Sequence, residues 1–172
     1  MALVTEDGSG LADAESFISV ASATAYHAAR GNAAWAALAS DTVREQALRK
    51  ATDYLGQTYR DRWSGYRIST TQALDWPRYE APRRDLPGDS YYAYYASDAV
   101  PAEVVRACAE MALRAAAGDL VEDEDQRIAS VSAGRVSVSF QQGSSPRKQY
   151  PAIEGLLRPL LKSGGGIALV RA

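Results

Sequence analysis

Apolar residues recur at helical spacing in two long stretches of this chain. The first stretch follows Thr42 and Glu45, which have the spacing of a capping box, and its apolar stripe consists of Val43, Ala47, Ala51, Tyr54 and Leu55. The second stretch opens at Pro101, a residue suited to the first helical position, and ends at Gly118; its stripe consists of Val104, Cys108, Met111 and Ala115. The pattern predicts two main helices, over about 42–59 and about 101–117.

Shorter helices are predicted on either side of this pair. Ser19 or Ser22 can cap a helix near 20–30 that ends at Gly31, and the alanine-rich stretch after it favours another helical turn. Near the C-terminus, "YPAIEGLLRPLLKS" predicts a short helix that bends or breaks near Pro159.

Strict alternation appears once, late in the chain. Val136, Val138 and Phe140 alternate with polar neighbours, which is typical of a half-buried strand. A glycine turn joins it to an earlier apolar segment, so we expect a β-hairpin at about 127–141. An isolated hairpin is marginal in water, and this one must therefore pack on the helices, on the N-terminal segment or on another subunit.

Two segments have no regular period. Residues 61–99 contain Pro77, Pro82 and Pro87, too dense a set for one regular element, and loops of this length tend to be functional. Residues 164–172 place four apolar residues behind a glycine run, as a tethered peptide that docks into a groove or adds a strand to an edge, or that folds back on its own domain. The fold prediction is mainly α: a small helical bundle over 1–163 with a β-hairpin, a long irregular loop and an extended C-terminal tail.

Composition narrows the class of protein. A chain of 172 residues is long enough to bury one substantial core, and its formal net charge of −2 argues against general coating of nucleic acid. The single cysteine excludes an internal disulfide. We see no signal peptide and no apolar run of membrane-spanning length, and therefore expect a soluble intracellular product without a membrane partner.

Signals of catalysis and metal binding are weak. The only histidine, His27, lies in an alanine-rich helix, and Cys108 lies on a different helix within an apolar stripe, so a Cys/His pair is not favoured. The acidic run Glu122, Asp123, Glu124 and Asp125 lacks the alternation and central glycine of a calcium loop and is interpreted as a solvated turn. We expect no enzyme activity, no metal and no cofactor.

Basic and aromatic residues are interleaved in the long loop and just before it. This basic–aromatic set consists of Arg60, Arg62, Trp63, Tyr66, Arg67, Trp76, Arg78, Tyr79, Arg83 and Arg84. Single-strand binders use such interleaving to stack bases and neutralise phosphates, while protein–protein hot spots are enriched in the same residue types. The overall acidic balance favours protein as the partner. The tyrosines at 91, 92, 94 and 95 are open to a structural or an interface role.

Several segments, in this order, carry a family resemblance. The most specific are "QALDWPR" at 72–78 and "VPAEV" at 100–104, set between the N-terminal "ALVTEDGSGLADAESFISV" and the later "YPAIEGLLRPLL". Together they resemble the head–tail connector adaptors, or head completion proteins, of tailed bacteriophages, a group whose related sequences are often labelled DnaT-like single-stranded DNA-binding proteins. The resemblance covers nearly the whole chain.

The resemblance implies a helical subunit that forms a ring, generally a dodecamer, beneath the portal in the virion neck after assembly in the bacterial cytoplasm. Its partners would be the portal protein, the next neck component (a head-closure or tail-terminator protein) and the double-stranded genome passing through the lumen. The resemblance suggests a portal-docking tail (Ile167, Ala168, Leu169, Val170, Arg171). We further expect a subunit or neck interface (Arg83, Arg84, Tyr91, Tyr92, Tyr94, Tyr95), a structural corner (Trp76, Pro77, Arg78) and lumen-facing carboxylates (Glu122, Asp123, Glu124, Asp125). The DnaT-like label implies instead a replication accessory protein that binds single-stranded DNA.

Overall fold

A computed structural model describes residues 2–86, 93–121, 130–133, 136–139 and 150–162 of the chain. The helices are α1 (Val20–Ala28), α2 (Ala33–Ala36), α3 (Asp41–Tyr59), α4 (Ala102–Ala117) and α5 (Pro151–Leu157), with 3-10 turns at Arg60–Arg62 and Arg158–Leu160. The strands are β1 (Tyr66–Arg67), β2 (Arg78–Tyr79), β3 (Ser130–Ala133) and β4 (Val136–Ser139). The fold is mainly α, as predicted. Among the described residues, no helix has both the length and the apolar character needed to cross a membrane.

The core lies between α3 and α4, which pack against each other. The predicted stripes face inward: Ala47, Ala51 and Leu55 of α3 are fully or almost fully buried, as are Val104 and Met111 of α4. Because alanine leaves little side chain between two backbones, the alanines allow the helices to approach closely while larger neighbours fill the gaps.

The capping residue of α3 differs from the prediction, although the helix bounds agree within one residue. Ser40, not Thr42, is the N-cap: its backbone is extended, and its hydroxyl oxygen accepts a 3.4 Å hydrogen bond from the Val43 amide. This earlier start puts the Asp41 carboxylate in the first turn, where the helix dipole favours a negative charge. Asp41 also forms a 2.7 Å ion pair with Arg44 within this first turn. The N-cap thus lies two residues before the predicted one, and the helix itself begins at Asp41.

The other helix ends lie close to their predicted positions. Ser19 caps α1 and Gly118 ends α4, whereas Pro101 is the residue before α4 and not its first helical position. α5 packs on α4 and passes into the 3-10 turn that contains Pro159, so the predicted break near Pro159 is a change of helix type.

The β-hairpin is confirmed as an antiparallel pair. Strand β3 pairs with β4 in a register that sets Val131 opposite Val138. The interval between the strands, 134–135, lies outside the described residues.

The segment 61–99, predicted to be irregular, contains a second antiparallel ribbon. β1 pairs with β2, with Tyr66 opposite Tyr79 and Arg67 opposite Arg78, and a further bridge joins Pro82 to Tyr94. The strands are only two residues long and are separated by ten residues, so no alternation over a window revealed them. We call this pair of strands, β1 and β2, the tyrosine ribbon.

Candidate functional site

A groove of about 570 Å³ lies between the 3-10 turn after α3, the segment at Arg84, α5 and the 3-10 turn that follows α5. It is lined by four cationic side chains and one carboxylate, together with Gly155 and Leu161; the charged residues are Arg62, Arg84, Arg158, Lys162 and Glu154. We call it the basic groove. Its positive charge is local, because the whole chain is slightly acidic.

Backbone pairing builds this groove from segments that are distant in sequence. The Lys162 amide donates a 2.7 Å hydrogen bond to the carbonyl of Arg62, and Trp63 forms an isolated bridge with Leu161. The backbone amide and hydroxyl of Ser64 donate to the Leu160 carbonyl, at 2.9 and 2.7 Å. The C-terminal turn is therefore held beside residues 62–64, and its cations are brought next to Arg62.

Two cations of the groove, Arg62 and Lys162, make contacts that neutralise their charge only in part. Arg62 lies 3.3 Å from Glu154, and both side chains are about half exposed, so the pair is solvated and weak. The ammonium of Lys162 donates a hydrogen bond to the backbone carbonyl of Asp61. Because a carbonyl carries no net charge, this contact does not neutralise the lysine. A surface of this kind attracts anions, and most strongly a row of them.

The tyrosine ribbon presents a pair of exposed aromatic rings. Tyr66 and Tyr79 retain 59% and 44% of their accessible surface, so both rings are open to solvent. Their ring centroids are 5.4 Å apart and the ring planes are inclined by 32°, so the two rings form one surface. The opposite face of the ribbon carries Arg78, which is buried.

Arg78 anchors the ribbon from beneath. Its guanidinium donates to three backbone carbonyls: to Gly65 at 2.7 Å, to Ser64 at 2.8 Å and to Asp75 at 3.1 Å. Burial lowers the pKa of Arg78, and the nearby Asp75 carboxylate opposes this effect. Gly65 has φ +68°, and a Cβ there would lie 2.5 Å from the Tyr79 carbonyl oxygen, so only glycine permits so close an approach of the strands.

The predicted structural corner surrounds this anchor. Trp76 is fully buried, its ring edge-on to Trp63 at 5.9 Å, and Pro77 is buried beside it after a cis peptide bond. The side-chain amide of Gln72 donates to the carbonyls of Leu74 and Pro77. Both tryptophans of the predicted basic–aromatic set are therefore core residues with no ring face open to a ligand.

The predicted interface residues lie in different settings. Tyr94 is exposed, while Tyr95 is half-buried against Trp76 and receives the Arg83 guanidinium 5.4 Å above its ring. Arg84 belongs to the basic groove. Outside the described residues lie Tyr91, Tyr92, the acidic run 122–125 and the tail residues 167–171.

A second pocket, of about 380 Å³, carries the opposite charge. Asp53, Asp61 and Asp75 line it together with Arg60, whose Nε donates to Asp75 at 3.1 Å. Burial raises the pKa of Asp53. Sequence reasoning did not group these carboxylates, because Asp75 reaches α3 only through the fold of the loop.

His27 and Cys108 are both buried and lie in separate polar networks. His27 Nε2 lies 3.1 Å from the Ala109 carbonyl oxygen and must donate to it; Nδ1 then accepts from the Asn32 side-chain amide at 3.0 Å. The Cys108 thiol lies 3.4 Å from the Thr52 hydroxyl, and burial raises the pKa of this thiol. Across the residues that the structure describes, no group of histidine, cysteine, aspartate and glutamate is arranged to hold a metal ion.

A protein-family model matches the sequence of this chain. The family model described as "Putative DnaT-like ssDNA binding protein" matches residues 1–172. No curated protein and no solved structure shows a significant similarity to the chain.

Proposed function

The chain belongs to this DnaT-like family, and on that premise we propose that it binds single-stranded DNA, with the phosphates held along the basic groove. The observation that carries the proposal is the convergence of Arg62, Arg84, Arg158 and Lys162 on one groove of an otherwise acidic protein. Two of these, Arg158 and Lys162, were absent from the predicted basic–aromatic set.

Phosphate binding explains why these cations converge. Each lysine or arginine that neutralises a phosphate releases counterions, and this release supplies much of the affinity for nucleic acid. If all four cations take part, the logarithm of the binding constant should fall against the logarithm of salt concentration with a slope of about −3 for a single strand. Raising salt fourfold should then weaken binding roughly 50-fold.

The test is fluorescence anisotropy with a labelled 20-nucleotide oligo(dT) across a salt series. We expect the double variant Arg158→Gln/Lys162→Gln to bind more weakly and to halve the salt slope. The matched control, Lys50→Gln/Arg106→Gln, removes two exposed cations outside the groove and should leave the slope unchanged. Equal slopes for the two double variants would contradict a groove-based site.

A second candidate function is that of a ring-forming adaptor in the bacteriophage neck. It is favoured by the order of motifs along the whole chain and by the exposed Tyr66, Tyr79 and Tyr94, since exposed tyrosines are typical of interfaces. In this hypothesis the chain is a structural virion protein that forms a ring, with a dodecamer as the expected state. It binds the portal protein and the next neck component, extends the DNA channel and contacts the duplex genome without sequence preference.

Assembly state separates the two candidates. An adaptor should form rings with a central hole in electron micrographs and should join purified portal protein as a discrete complex. Deleting residues 164–172 should abolish that joining if the tail is the docking element. A protein that stays monomeric at micromolar concentration, ignores the portal and binds oligo(dT) would exclude the adaptor hypothesis.

A further inference from the structure

We infer that the Tyr66–Tyr79 pair is a base-stacking platform that adds the recognition of unpaired bases to the basic groove. This inference rests on the proposed function. It adds that the protein recognises an unpaired base of the strand as well as its phosphates.

The burial of the aromatic residues shows which of them can stack with a base. Of the aromatic residues in the predicted basic–aromatic set, Trp63 and Trp76 are completely buried in the core, and only Tyr66 and Tyr79 expose their rings. A base must reach a ring face in order to stack, so the tryptophans are excluded and the tyrosines remain.

The geometry of the pair determines how a base can bind. The ring centroids are 5.4 Å apart, less than the roughly 6.8 Å that two stacking layers of about 3.4 Å would need, so no base fits between the rings. Bases must lie on the outward faces. The rings are also held in place, because Arg78 fixes the ribbon from below and Gly65 brings its strands close together. A preorganised surface loses little entropy on binding.

Each strand of the tyrosine ribbon is a few residues along the chain from a cation of the basic groove. Arg62 precedes Tyr66 by four residues and Arg84 follows Tyr79 by five. Four residues span at most about 14 Å of chain, which keeps the platform within a few nucleotides of the nearest phosphate-binding cation. One short single strand can therefore contact both, whereas bases in a duplex are already paired and stacked on one another.

The experiment compares two ligands of equal charge: oligo(dT) and an abasic deoxyribose-phosphate strand of the same length. Wild-type protein should prefer oligo(dT), and Tyr66→Ala/Tyr79→Ala should lose that preference, with a fall in oligo(dT) affinity of roughly 5- to 100-fold. The salt slope should not change, because the cations remain. Tyr66→Phe/Tyr79→Phe is the matched control and should keep the preference, since phenylalanine has the same ring face.

The other outcomes overturn different claims. If wild-type protein binds both strands equally, stacking is refuted while phosphate binding in the groove stands. If the alanine variant keeps the preference for oligo(dT), bases stack elsewhere and the assignment to this pair is wrong. If wild-type protein binds neither strand, the proposed function fails and the inference fails with it. Thermal melting of each variant shows whether a loss of binding comes from a loss of fold.

Discussion

Replacing Arg78 with methionine tests whether this side chain holds the tyrosine ribbon. Methionine keeps a long apolar stem but has no donor, so the carbonyls of Ser64, Gly65 and Asp75 all lose their hydrogen bond from the guanidinium. A hydrogen bond to a charged group contributes about 1.5–3 kcal/mol. The loss of three such bonds would therefore lower the free energy of unfolding by at most roughly 5–9 kcal/mol.

Part of that loss is offset. Arg78 is 7% exposed, and burying a guanidinium carries a desolvation cost of several kcal/mol that methionine avoids. The lowered pKa of Arg78, caused first by burial, reflects the same cost. We therefore expect a net destabilisation of about 2–5 kcal/mol, because three carbonyls that lose a charged donor, two of them at buried hydrogen bonds, outweigh the relief of one buried charge.

Urea unfolding followed by tryptophan fluorescence measures the effect, since Trp63 and Trp76 lie beside the anchor. With a slope near 2 kcal/mol per molar urea, the midpoint should fall by about 1–2.5 M. Arg67→Met is the matched control: Arg67 lies opposite Arg78 on the ribbon, and its Nε has no hydrogen-bond partner. We expect a midpoint shift below about 0.5 M there. Equal shifts for the two variants would refute the anchoring role of Arg78.

Three further predictions concern buried polar groups. Burial lowers the pKa of His27 below its ordinary 6.5, so near this pH the folded state binds fewer protons than the unfolded chain. The free energy of unfolding should therefore fall as pH drops below 6.5, by at most about 1.4 kcal/mol per pH unit. The substitution His27→Gln should flatten this part of the plot of urea midpoint against pH. The Cys108 side chain is fully buried, so its thiol should react with Ellman's reagent only as fast as the protein opens. Burial also raises the pKa of the thiol, which lowers its reactivity further, and rapid labelling in native buffer would contradict this. The buried Glu6 carboxylate accepts hydrogen bonds from the amides of Gly8, Gly10 and Leu11. The substitution Glu6→Ala should therefore lower the melting temperature by several degrees, which corresponds to about 1–3 kcal/mol. The substitution Asp7→Ala, on the exposed side of the same loop, should have little effect in the same thermal melt.

The helices and the hairpin could be predicted from the sequence because the relevant signals are local. The inward stripes of α3 and α4 recur every three or four residues, and the alternation around Val136 and Val138 marks β4. The N-cap of α3 was misplaced by two residues because Ser40 and Thr42 both have a capping side chain, and only the backbone conformation chooses between them.

Tertiary structure decided the parts of the protein that we assign to function. The tyrosine ribbon joins strands of two residues each, too short for any period, and depends on a buried arginine, which sequence patterns place on the surface. The basic groove draws its cations from positions 62, 84, 158 and 162, and those separations carry no periodic signal. Local pattern follows from the geometry of a single helix or strand, whereas a site of this kind exists only after distant segments have packed together.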